Sequence, residues 1–217
     1  MTLALFDLDN TLLSGDSDYE WGQFLVRKGL VDPQTYEAEN QRFFGQYQQG
    51  TLNIHEYSAF AFKPLSERNM EELAALHHDF MQETILPIMS AAAHELVNKH
   101  REAGHTLVVI TATNSFVTRP IAAAFGIGNL LATEPRIVDG RYTREVAGTP
   151  CFQHGKVSRL QEWLQDRAET LAGSYFYSDS RNDLPLLEMV ENPVAVNPDP
   201  VLRATAQERG WPVLSLR

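Results

Sequence analysis

Two aspartates, Asp7 and Asp9, stand one leucine apart where the apolar run of "LALFDLDNTLL" (residues 3–13) ends. Two like charges about 4 Å apart repel by ~4 kcal/mol at an effective dielectric of ~20, so a buried strand alone gives no reason for the pair. A second acidic pair, Asp179 and Asp183, follows another apolar run at 174–177. Thr111, Thr113 and Asn114 follow a third at 106–110, and Lys156 opens a helical stretch. Four carboxylates gathered in one crevice require a cation. A hard divalent ion with oxygen ligands, Mg2+, fits, because it binds through one or two carboxylates and keeps places for water or phosphate oxygens. Zinc is disfavoured: the chain has no Cys/His cluster, and His77 and His78 are adjacent on a predicted helix, the wrong spacing for one face.

With such an ion, Asp7 can bind the metal through one oxygen and attack phosphorus with the other, forming an aspartyl-phosphate. Asp9, two residues on, is expected on the same side of the strand end. There it can protonate a leaving alcohol and then take a proton from the hydrolytic water. Thr111 and Lys156 can donate to the transferring phosphoryl oxygens.

The surrounding pattern must bring these groups together. Short buried strands are expected at 3–6, 106–110, 130–132, 174–177, 194–196 and 213–216. Helices are expected at 90–103, 115–125, 156–167, 184–189 and 199–209. Pro120 marks a kink or the true start of the second helix. Asp139-Gly140 lies between two β-like arms at 134–147, a hairpin signal. Alternating strands and helices predict an α/β fold, a doubly wound parallel sheet of Rossmann-like type, whose ligands bind beyond the carboxyl ends of the strands. Residues 15–86 differ. They are rich in Glu, Gln, Tyr and Phe at helical spacing, with Asp32-Pro33 as a helix start. The expected division is a core of 1–14 and 87–217 and a helical cap of 15–86, with Trp21, Phe24, Phe43, Phe44 and Phe60 as cap core.

The 217 residues carry a net charge of −10, which argues against nucleic acid or an acidic membrane as partner. The single cysteine, Cys151, excludes an internal disulfide framework. No signal peptide and no run of 18 apolar residues is seen, so a cytoplasmic monomer is the expected state.

Asp7-Leu8-Asp9-Asn10-Thr11, Thr111 after an apolar strand, Lys156 at a helix start and Asp179-Ser-Arg-Asn-Asp183 resemble, in order and spacing, the four motifs of the haloacid dehalogenase-like phosphatases. The resemblance implies Asp7 as nucleophile and Asp9 as acid/base. It implies Thr111, Ala112, Lys156 and Asn182 as phosphate-binding residues. For Mg2+ it implies Asp7, Asp179 and the Asp9 carbonyl, with Asp183 either holding the metal's waters or orienting Lys156. The insertion resembles the helical cap of the phosphoserine-phosphatase-like branch. Within that branch "FDLDNTLLSGDSDYEWG", "ITATNSFVTRPIA", "FYSDSRNDLPLLE" and "VAVNPDPVLRATAQERGWPVL" are similar to bacterial histidinol-phosphatases.

Two departures bear on substrate. Thr111-Ala112-Thr113 stands where phosphoserine phosphatases carry Ser-Gly-Gly, and Arg42 is only a loose match to the cap arginine that holds a substrate carboxylate. Asp16, Asp18 and Glu20 suit a cationic substrate tail, although acids at a helix start also serve as caps. The substrate is thus expected to be a small phosphorylated metabolite, histidinol phosphate first and phosphoserine second. A phosphotransferase and a non-catalytic phosphate-binding module remain the competing readings.

Overall fold

The computed structural model describes residues 2–217. Seven strands, β1 (Leu3–Phe6), β2 (Thr106–Asn114), β3 (Asn129–Val138), β4 (Arg141–Ala147), β5 (Tyr175–Ser178), β6 (Asn192–Val196) and β7 (Val213–Leu214), form one sheet in the order β4-β3-β2-β1-β5-β6-β7. All neighbours are parallel except β3 and β4. β1 is central, and the chain builds outward first through β2 and β3, then on the other side through β5. That reversal opens a crevice above the carboxyl ends of β1, β2 and β5.

The strands are apolar on both faces because both faces are covered. Ala4, Phe6, Val109, Tyr177 and Val196 pack into one core, while Leu3, Leu5, Val108, Ile110 and Phe176 pack into the other. In chain order the helices are α1 (Ser17–Arg27), α2 (Pro33–Gln49), α3 (Ile54–Ala61), α4 (Lys63–Ser66), α5 (Met70–Phe80), α6 (Leu86–Ile88), α7 (Ala91–Glu102), α8 (Ser115–Ala124), α9 (His154–Leu164), α10 (Leu184–Leu187) and α11 (Pro200–Arg209). Val97 of α7 and Ile121 of α8 fill the first core; Leu160 of α9, Leu187 of α10 and Leu202 of α11 fill the second. The fold is therefore the expected doubly wound α/β sheet.

Between β1 and α7 the chain is helical. Asp32 caps α2 by accepting from the Thr35 N–H, with Pro33 at the first position, as its sequence predicts. Trp21, Phe24 and Phe80 belong to the same core as Phe6 and Val109, so α1 and α5 are joined to the sheet by continuous apolar packing. The segment leaves and returns at one place: Leu13 pairs with Met89, and the Ser14 N–H donates to the Ile88 carbonyl at 2.9 Å.

Two expectations change. The strand at 130–132 and the first hairpin arm are one strand, β3, whose first half pairs in parallel with β2 and whose second half pairs antiparallel with β4. Asp139 and Gly140 both take positive φ, 49° and 73°, the geometry of a tight hairpin turn. β2 runs on to Asn114, with a register shift between Ile110 and Asn114. α8 begins at Ser115 as expected and carries Pro120 inside it, because the Asn114 side chain accepts from the Val117 N–H and sets the start there.

Candidate active site

β1 ends at Phe6, and the Asp7 N–H still bonds to the Tyr177 carbonyl at 2.9 Å. Asp7 therefore sits rigidly at the strand end. The next residues leave the sheet: Asp9 is extended and Asn10 has φ 57°. Period-two alternation consequently does not place Asp9. Its carboxylate is held instead by the Ser17 N–H on Oδ1 at 2.6 Å and by the Thr113 hydroxyl on Oδ2 at 2.8 Å.

Lys156 comes from the first turn of α9. Gln153 takes φ 49°, and the chain turns so tightly that a Cβ on Gly155 would lie 2.0 Å from the Pro150 carbonyl oxygen. Lys156 thereby turns inward and is 3% exposed. Its ammonium donates to Asp7 Oδ1 at 2.8 Å and to Asp183 Oδ2 at 2.7 Å. The Ser178 hydroxyl also donates to Asp183 Oδ2, at 2.7 Å. Asp183 thus orients the lysine.

Asp7 and Asp179 are less well served. The Thr11 hydroxyl lies 3.2 Å from Asp7 Oδ2 and 3.4 Å from Asp179 Oδ1. It has one proton to give and accepts the Asp179 N–H at 3.0 Å. Burial, then the Asp183 and Asp9 charges, push the Asp7 carboxyl up to about 7 against the pull of Lys156. Burial and the Asp7 charge raise Asp179 well above the ordinary carboxylate range. Lys156 is raised: burial works against its charge, but Asp183 and Asp7 outweigh it. Asp7 Oδ2 and Asp179 Oδ1, sharing one hydroxyl, have the donor chemistry that a hard cation requires. The four carboxylates expected to converge do line one pocket, yet they are not equally free to hold an ion. Among the described residues no three His, Cys, Asp or Glu side chains gather closely enough to hold a metal by themselves, because Asp183 is bound to Lys156 and Asp9 to Ser17 and Thr113.

These groups line the floor of one pocket whose walls come from α1, α2 and α3. Thr111, Ala112, Thr113 and Asn182 line it too. The Thr111 hydroxyl oxygen accepts the Thr113 N–H at 3.2 Å, and Asn182 Oδ1 accepts from Gln153 at 3.0 Å.

Asp16 and Asp18 face the same pocket, but Glu20 does not line it. Asp16 is the cap of α1, accepting from the Asp18 and Tyr19 N–H groups at 3.0 Å. Asp18 is buried and accepts from the Tyr57 hydroxyl at 2.6 Å. Burial pushes Asp9, Asp16 and Asp18 each up to about 6; Asp16 adds to the rise at Asp9, Asp18 at Asp16, and Asp9 at Asp18. Arg42 lies outside the pocket lining, ion-paired to Glu39 at 2.7 Å and Glu56 at 3.0 Å. Phe43 and Phe44 line the pocket; Phe43 is buried against Tyr57 and Phe60, whereas Phe44, expected in the core, is exposed. Trp21 and Phe24, expected as cap core, stack on each other and meet Phe80 edge-on and tilted, within the core they share with the sheet. Tyr47, Tyr57, Phe152 and Thr11 are the contributors that sequence reasoning missed; of these only Thr11, inside the first motif, carried a local signal.

The buried carboxylate–lysine pair at the switch point of a doubly wound sheet sits in a phosphoric monoester hydrolase, as the family and the relatives show. A family model for haloacid dehalogenase-like hydrolases matches residues 4–188, and the chain belongs to that family. It is 48% identical to a histidinol-phosphatase of Neisseria meningitidis, over 99% of each chain. It is 31% identical to a phosphoserine phosphatase of Mycobacterium tuberculosis, over 99% of this chain and 70% of that one. A crystal structure of a Bordetella pertussis protein of unknown function, 47% identical, superposes with a TM-score of 0.94 over 100% of both chains. A phosphoserine phosphatase structure at 17% identity, covering 100% of this chain and 93% of that one, shares the fold with a TM-score of 0.71.

Proposed function

We propose that the chain is a cytoplasmic, Mg2+-dependent phosphomonoesterase that hydrolyses histidinol phosphate to histidinol and phosphate in histidine biosynthesis. The observation that carries this reading is the charge of the pocket. Among the described lining residues six are aspartates, and the sole basic side chain is Lys156, already committed to Asp7 and Asp183. A substrate carboxylate would meet no free cation, whereas an ammonium beside an aromatic ring would meet Asp16, Asp18, Phe43, Phe44 and Tyr57. The relative at 48% identity supports the same choice.

The chemistry follows from the residues. An Asp7 oxygen attacks phosphorus; the bond from phosphorus to the ester oxygen breaks, and that oxygen takes the proton of the Asp9 carboxyl. In the second half Asp9 accepts a proton from water, the water oxygen bonds to phosphorus, and the bond to Asp7 breaks with its electron pair returning to the carboxylate. Lys156, the Thr111 hydroxyl and the Ala112 backbone would hold the phosphoryl oxygens. The carboxylates of Asp7 and Asp179 with the Asp9 carbonyl would hold Mg2+, which supplies charge neutralisation for the phosphoryl group. Residues 15–86 would act as the cap that excludes water.

The test is a panel of phosphorylated metabolites with Mg2+. Histidinol phosphate should give the highest kcat/KM, and faster turnover of phosphoserine would sink the substrate assignment. Asp7→Asn should lower phosphate release by ~10⁴-fold or more; unchanged release would remove the covalent mechanism.

A further inference from the structure

We propose that Asp9 is set for proton transfer by two donors, the Ser17 backbone N–H on one carboxylate oxygen and the Thr113 hydroxyl on the other. Helix α1 is then a positioning element of the chemistry as well as a wall of the pocket. The inference rests on the reading of Asp9 as acid/base.

The geometry fixes one donor to each oxygen: Ser17 N to Oδ1 at 2.6 Å and Thr113 Oγ1 to Oδ2 at 2.8 Å. Nothing in the Asp9 backbone does this work, since the chain turns away from the sheet at Asn10 with φ 57°. The two donors differ in kind. An N–H can only donate, so Oδ1 is always an acceptor toward Ser17. A hydroxyl donates or accepts as it rotates, so Oδ2 is free to carry a proton or to lack one. The clamp therefore holds both oxygens of the Asp9 carboxylate in one orientation.

The Ser17 donor is available because of where it sits. It is the first residue of α1, and the first N–H groups of a helix have no partner inside it. The Asp16 cap takes those of Asp18 and Tyr19, leaving that of Ser17 for Asp9. The Ser17 hydroxyl is buried and unpartnered, so the backbone and not the side chain makes the contact.

This position allows a clean deletion. Proline is tolerated at the first position of a helix, and Asp16 at φ −104°, ψ 111° already has the extended conformation that precedes a proline. Ser17→Pro thus removes one donor, and Thr113→Val removes the other independently should the first variant not fold. Two phosphates separate positioning from general damage. Histidinol phosphate releases an alkoxide that needs a proton; p-nitrophenyl phosphate releases a phenolate that does not. Both variants should lower kcat for histidinol phosphate by ~10–100-fold with little change in KM. The first-turnover burst of p-nitrophenolate should stay near the parent rate. The conservative Ser17→Ala and Thr113→Ser, which keep the donors, should restore the parent's ratio. Equal slowing on both substrates, or parental turnover of histidinol phosphate, overturns the clamp. Asp9→Asn distinguishes the two readings: if it leaves histidinol phosphate turnover intact, the acid/base assignment falls, and if it abolishes turnover while Ser17→Pro and Thr113→Val do not, the clamp alone falls.

Discussion

Lys156 and Asp7 meet at 2.8 Å, with 3% and 9% of their side chains exposed, although 149 positions of sequence separate them. The pair costs desolvation, and the second contact to Asp183 at 2.7 Å is what makes it tenable. Lys156→Met would leave two buried carboxylates without a counter-charge. It should destabilise the fold by ~3–5 kcal/mol, read as a lower midpoint in urea, and should lower kcat by ~10²-fold or more.

Mg2+ affinity should depend on pH. Burial holds the Asp7 carboxyl up to about 7, and a carboxylate must lose its proton to bind a metal. Titration calorimetry should show binding that weakens as pH falls below about 7 and releases protons there. Mg2+ should raise the melting temperature of the parent, and Asp179→Asn should abolish that rise.

Asp16→Asn keeps an effective helix cap and deletes a charge. The folded carboxyl is raised from 3.8 to about 6, chiefly by burial. Between those values the folded state holds a proton that the unfolded chain has lost, so the parent's stability falls as pH rises from about 4 to about 6 and stays lower above it. The variant escapes that loss. Urea midpoints should coincide near pH 4, and the variant should be the more stable at pH 8. Under the proposed substrate assignment its KM for histidinol phosphate should rise.

Gly155→Ala asks for space that does not exist, with 2.0 Å to the Pro150 carbonyl oxygen. Backbone cannot yield as a side-chain tip can, so the first turn of α9 must shift, and Lys156 with it. Turnover should drop by ~10-fold or more, since small misplacements of a catalytic group are costly, while circular dichroism stays close to the parent's.

The positions of Asp7, Thr111 and Asp179 were legible because each follows an apolar strand, and a parallel sheet aligns those ends. Helix starts were legible where the cap is local, as at Asp32-Pro33 and Asn114. What escaped depends on contacts distant in sequence. Asp9 obeys Ser17 and Thr113, not the strand period. Arg42 has a charge suited to a ligand, but Glu39 and Glu56 are nearer. Phe43 and Phe44 sit on a helix whose orientation toward the sheet no local pattern encodes, and Tyr47 and Tyr57 reach the site for the same reason. The merging of 130–132 with the hairpin arm into β3 was hidden because one strand changes partner midway.

The pairing of Leu13 with Met89 has an architectural corollary. The long excursion between β1 and α7 begins and ends at a single gate, so the sheet's connectivity is indifferent to what is hung there. Under the proposed function, such a port would let leaving-group preference diversify by exchange of the inserted helices, provided the Trp21, Phe24 and Phe80 packing on the sheet is kept. It also sets a boundary on that freedom: the residues just past the gate, Asp16 to Asp18, reach back to the floor, so a graft must carry them or rebuild their contacts.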